Sequence, residues 1–450
     1  MANEAGRLRG NGFLLMSVIL GCVRSGEMLS SGFARRIAGS DLSQVTVDPD
    51  TGDVFVAGSN VVARLDPDLK SYASLRTGPV LDSVTCDPAD PRSCRGLSPH
   101  DNEARILEVD PDGGRLIFCG TVRQGLCSVI PTDDLSALRN LSTTNEANYA
   151  GSRETNFAFF AGDVDDDDSR RSLYVASTYD GRPLSLSQPA LSARRLARSG
   201  TGYRLEYASD DDMGSLRRRT AVAIDETYIE DYRVKYVYGF EYKGFAYFVT
   251  LQRQNIDTTG SFEARLARVC RNDPGFYSYT ELRLSCRKMN GITTFYNIPQ
   301  AAFLADVGDL RNRVGATRED KVLYVLYGRS KDKDNDTADP SYGTGLCGYS
   351  MSGVEEEFVK AQKNCYMEKG SLLEWIQPNR HCRKDLKIAT SIDSSFCGDP
   401  LNVGIDSRYS HSSTTETLFT TTYLATSLAV VIYKGRTIAI MGTSTGEILK

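Results

Sequence analysis

The chain has 450 residues, with 53 Lys and Arg against 58 Asp and Glu and a formal net charge of −5. This balance lacks the basic footprint of a nucleic-acid binder, and a hydrophobic share of 40% suffices for a buried core. Tyrosine is abundant (23) while tryptophan occurs once, at Trp375.

Residues 1–25 read as a secretory leader. Arg7 and Arg9 form its basic start, residues 13–23 its apolar core, and Val23 and Ser25 its small-residue exit. That core is too short to span a bilayer, which needs about 20 residues. Eleven cysteines are present, and Cys22 leaves with the leader. The remaining even set suits five disulfides in an oxidising compartment. Cys86/Cys94 and Cys119/Cys127 lie eight apart, an easy span across a turn. Spacing leaves the partners of Cys270, Cys286, Cys347, Cys365, Cys382 and Cys397 open. The sequons at Asn140 and Asn335 fit glycosylation of exposed loops in an exported chain.

Past the leader, an apolar run, a small residue, a short turn and a second run recur. The units lie at 53–65, 116–130, 173–184, 236–251, 322–347 and 437–449. The fourth, YVYGFEYKGFAYFVTL, is the clearest hairpin: Tyr, Phe and Val suit a pleated surface, and Gly239 and Gly244 punctuate it. The first four units recur at about 60 residues, longer than common propeller blades. The expected fold is therefore all-β, a β-propeller whose blades carry long loops. Residues 300–313 place Ala302, Phe303, Leu304, Val307 and Leu310 at helical spacing and predict an amphipathic helix. A short charged helix is expected within 183–219, and a helical turn within 371–376. The run 424–433 is short and β-branched, hence a strand rather than a membrane span.

Chemistry finds little footing. Asp332-x-Asp334-x-Asp336 and Asp163-x-Asp165-x-Asp167 alternate carboxylates as a calcium loop does. Neither has the glycine or the closing glutamate, so both read as loop charge. With three histidines and no CxxC, no zinc site is expected. No HExxH or GxSxG occurs, and Gly442-Thr443-Ser444-Thr445-Gly446 lacks the lysine of a phosphate loop. The expectation is a non-enzyme without metal or cofactor. What remains is surface charge: Arg182 in a turn, Arg217-Arg218-Arg219 after Asp210-Asp211-Asp212, and Arg383-Lys384 beside Cys382. Each reads as exposed, either for solubility or for docking another protein.

Several motifs together resemble a known family. Tyr236-Val237-Tyr238-Gly239-Phe240 with 245–252, Arg268-Val269-Cys270 followed by Phe276-Tyr277-Ser278-Tyr279, and Asn364-Cys365-Tyr366 are three of them. Ser395-Phe396-Cys397-Gly398 with Leu401-Asn402, and Gly442-Thr443-Ser444-x-Gly446, complete the set. In this order they resemble the extracellular sema domain of plexins, the semaphorin receptors, nearest to the A type, over residues 33–450. The resemblance implies a seven-bladed propeller, here incomplete, with the last blade missing. It implies the pairs Cys86–Cys94, Cys119–Cys127, Cys270–Cys397, Cys286–Cys347 and Cys365–Cys382. It also implies a semaphorin sema domain as partner, at positions near Asp180, Arg182, Met213, Arg217, Arg218, Arg383 and Lys384. Co-receptor binding and self-association are further implied partners; nucleic acid and direct membrane insertion are not. The expected setting is the outer face of the plasma membrane, on a single-pass receptor for cell and axon guidance, with this chain itself secreted. The rival readings are a soluble decoy or adhesion module, and a semaphorin ligand.

Overall fold

A computed structural model describes residues 42–450 apart from 84–85, 88–89, 91, 93, 111–113, 144–145, 163–170, 183–187, 201, 214–215, 258 and 408–412. The leader at 1–25, the start of the expected domain at residue 33 and the acidic run 163–168 lie outside the described residues.

Antiparallel strands dominate, and among the described residues six sheets have three or more strands. The chain divides into two compact units. In the first, Leu42–Val47, Val54–Gly58, Val61–Leu65 and Ser71–Arg76 form one meander. Ala104–Asp110, Arg115–Gly120, Cys127–Pro131 and Arg139–Asn140 form a second. Asn60 takes the left-handed φ (64°) that the tight turn before Val61 needs. Phe55, Val62, Leu107, Leu116, Phe118 and Ile130 make the apolar core of this unit. Each such side chain contributes about 1.5–3 kcal/mol by burial. Cys119 stands directly opposite Cys127 in the ladder, and the two are bonded; Cys86 and Cys94 are bonded as well.

The second unit is built around the 236–251 hairpin. Lys235–Tyr242 and Phe245–Arg253 pair, and the turn is Lys243-Gly244 with both φ positive (47° and 78°). That is the two-residue turn whose twist matches the strands. Gly239 is a strand residue opposite Phe248, with a register shift between Tyr236 and Tyr238. Phe262–Cys270 and Thr280–Asn290 extend the sheet. Neighbouring strands Ile298–Asp306, Lys321–Gly328 and Thr344–Ser350 form the next one. Ala425–Tyr433, Arg436–Thr443 and Ile448–Leu449 form the last. The Cys286–Cys347 bond staples two of these sheets.

Three expectations fail locally. Residues 298–306 form a strand, Ala302 opposite Val325 and Leu304 opposite Leu323, and not a helix. Ala302, Phe303 and Ala305 are all buried, so both strand faces are covered and the apolar run carries no period-two signal. Only Arg311–Val314 is helical (α1), closed by Gly315 at φ 68°. Within 183–219 the described residues form strands, among them Leu191–Ser199, Asp210–Met213 and Leu216–Arg219. The partner of Ser172–Ser177 begins at Leu191, later than the expected Leu184.

Candidate docking surface

Between Thr344–Ser350 and Ile405–Asp406 the chain leaves the sheets, apart from the short strand Ser371–Leu372, for an excursion that carries the exposed charge of interest. It opens with a helix, α2 (Met351–Tyr366). Ser350 caps it by accepting from Gly353 N–H at 3.3 Å, and Asp320 accepts from Ser350 Oγ (2.6 Å) and Ser352 N–H (3.1 Å). Met351, Val354, Phe358, Ala361 and Cys365 are buried. This three-four spacing after a capping serine is the sequence signal for the helix. Arg268 lies between the rings of Phe245 and Phe358, at 4.2 and 4.4 Å, and fastens α2 to the sheet. Burial holds its pKa below the usual guanidinium range.

Beyond α2 the chain is largely irregular and packs on a small core of its own: Tyr366, Leu372, Cys382, Ala389, Ile392 and Ile405. Disulfides Cys365–Cys382 and Cys270–Cys397 brace it. It rejoins the sheet at Ile405–Asp406, which pairs in parallel with Thr280 and Glu281. An ionic cluster locks that return. Arg265 donates to Glu263 (2.9 Å), Glu281 (3.0 Å) and Asp406 (3.5 Å). Glu281 also accepts from Gln252 and Tyr279, each at 2.9 Å. Burial outweighs the neighbouring guanidinium and raises the Glu281 pKa.

The segment 380–387 sits on this frame. Arg380, Arg383, Lys384, Leu386 and Lys387 are exposed. The backbone beneath them is tightly held. Buried Asn402 accepts from Arg383 N–H (2.7 Å) and donates to Arg383 C=O (2.9 Å), and Asp385 N–H donates to Tyr366 C=O (3.0 Å). The one acid in the run, Asp385, caps the short helix α3 (Leu386–Ser391) by accepting from Ile388 N–H. None of the four cations forms an ion pair among the described residues. Sequence reading found Arg383 and Lys384 but passed over Arg380, Leu386 and Lys387, although the run RHCRKDLK shows the density of bases.

The other expected positions lie on separate elements. Arg182 is not exposed: it is 4% accessible and forms a two-pronged ion pair with Asp180 (2.9 and 2.6 Å). An Asp two residues earlier lets the guanidinium fold back into the protein instead of projecting. Met213, Arg217 and Arg218 belong to a two-stranded ribbon. Its register sets Asp210 opposite Arg219, Asp211 opposite Arg218 and Asp212 opposite Arg217. Asn140 is exposed on an edge strand, its Oδ1 accepting from Ser128 Oγ (2.7 Å). Asn335 is exposed on a loop walling an open groove. In that loop Asp334 pairs with Arg253 (3.3 Å) and Asp336 with Lys235 (2.7 Å). Among the described residues no helix is long and apolar enough to cross a membrane.

No protein-family profile matches the chain. Plexin-A4 of Danio rerio is 29% identical over 430 residues, covering 91% of this chain and 22% of that protein. The chain thus spans about a fifth of the length of the curated relatives it matches. The solved extracellular region of plexin A4 aligns with TM-score 0.77 and 27% identity, over 92% of this chain and 41% of that one. Drosophila Semaphorin 1a, extracellular domains 1–2, aligns with TM-score 0.53 and 18% identity, over 90% of this chain and 74% of that one, a likeness of fold. These neighbours are β-propellers, and with them this chain is a β-propeller whose homologues are the A-type plexins, matched in their extracellular sema region.

Proposed function

We propose that this chain is the ligand-binding, sema-domain part of a plexin-type receptor and that its ligand is a semaphorin sema domain. The carrying observation is the alignment to the plexin A4 extracellular region over 92% of the chain. The leader at 1–25, the propeller domain over 33–450, glycans on Asn140 and Asn335, and display at the outer face of the plasma membrane belong to the same reading. The five bonded cysteine pairs accord with an oxidising compartment. Arg383 and Lys384 are the favoured contacts, because exposed unpaired cations steer association most strongly. Surface plasmon resonance of the disulfide-intact receptor ectodomain against a semaphorin panel tests this. Binding to at least one member is expected, with Arg383→Glu/Lys384→Glu slowing association about tenfold at low salt. Absence of binding to every member overturns the reading.

A further inference from the structure

We infer that segment 380–387 is a docking site for a sulfated glycosaminoglycan, a linear polyanion. The inference goes beyond the semaphorin reading and does not depend on it. Four exposed cations stand within eight residues and form no ion pair among the described residues. In the same unit, by contrast, half-buried Lys321 pairs with Asp306 (2.6 Å) and exposed Lys243 with Glu355 (3.0 Å). The acid inside the run is occupied with capping α3.

Shape points the same way. Residues 380–385 form an irregular stretch that ends at α3, and the whole segment reaches at most about 25 Å. The cations are strung along the chain, which suits a polymer with repeated anions. The segment exposes one large apolar side chain, Leu386, so its contribution to binding is chiefly electrostatic, as recognition of a polyanion requires. The cations are also preorganised, because the disulfide at Cys382, the Asn402 clamp and the Asp385–Tyr366 hydrogen bond fix the backbone before any ligand arrives. The formal charge of −5 makes the rest of the surface a poor competitor for a polyanion.

The test is retention of the full secreted chain on immobilised heparin, with unsulfated hyaluronan as the second matrix. Retention on heparin at about 0.15 M salt and flow-through on hyaluronan are expected. Arg383→Glu/Lys384→Glu/Lys387→Glu should flow through, and the neutral Arg383→Gln/Lys384→Gln/Lys387→Gln should elute at lower salt than the parent. In solution each lost contact lowers the slope of log affinity against log salt by roughly one. Arg217→Glu/Arg218→Glu should elute with the parent. A thermal midpoint matching the parent's verifies that each variant is folded. The inference is overturned if the parent chain flows through heparin, if the glutamine variant elutes with it, or if hyaluronan retains it equally. Loss of semaphorin binding with unchanged heparin retention would also overturn it, marking the segment as a protein contact. Heparin retention without semaphorin binding would instead remove only the receptor reading.

Discussion

Two basic stretches of similar density meet different fates. In the ribbon, Arg217, Arg218 and Arg219 face Asp212, Asp211 and Asp210 one for one. Opposite charges set across from one another in such a register contribute roughly 0.2–1 kcal/mol per pair. In the excursion, Arg380, Arg383, Lys384 and Lys387 face solvent without partners among the described residues, and their geometry is held from below by sulfur, amide and buried ions. Local base density is thus a poor guide to docking. What counts is whether the pairing register supplies an acid across the way.

The contrast breaks most completely at Arg265. Arg265→Met leaves Glu281 and Asp406 buried without their cation, which should cost about 3–5 kcal/mol in chemical denaturation at neutral pH. It should loosen the return strand Ile405–Asp406, weaken binding by 380–387 and spare the ribbon. The pH dependence of the parent carries the same signature. Because burial raises the folded pKa of Glu281, its contribution is fully present below the unfolded value of about 4.3 and is lost as pH rises through the folded value. Unfolding midpoints measured upward from pH 4 should show that decline, and Glu281→Gln should flatten it.

Removing the Cys365–Cys382 brace with two alanines should cost about 3 kcal/mol in thermal unfolding and reduce heparin retention. Asn402→Ala orphans Arg383 N–H and should cost about 1–3 kcal/mol. Its selective effect is faster tryptic cleavage within 380–387. The smallest effect is reserved for the ribbon: Arg217→Glu/Arg218→Glu places like charges opposite one another and should cost about 1 kcal/mol, with the semaphorin on-rate unchanged. A slowed on-rate would return docking to the ribbon and erase the contrast.

The hairpins were legible because aromatic and β-branched runs ended in residues that tolerate positive φ, as at Asn60 and Gly244. Residues 298–306 were not, since burial on both faces removes the alternation that separates strand from helix. Helix α2 had its signal in Met351, Val354, Phe358, Ala361 and Cys365, but Gly353 and the run of glutamates obscured it. At the candidate surface, the exposure of Arg383 and Lys384 could be read directly. The burial of Arg182 could not, because it depends on a fold-back onto Asp180 that charge counting does not reveal. The ribbon register was likewise beyond reach, since it needed the turn position between the two triplets.

The two cystines of the excursion share one further property. Cys382 is tied back to Cys365 and Cys397 to Cys270, so Arg383, Lys384, Lys387 and α3 hang between two covalent anchors. A tryptic nick after Arg383, Lys384 or Lys387 would therefore leave both pieces of the polypeptide joined through Cys270–Cys397. Such a chain would migrate as one band on a non-reducing gel and as two after thiol treatment, while its docking strip had already been cut.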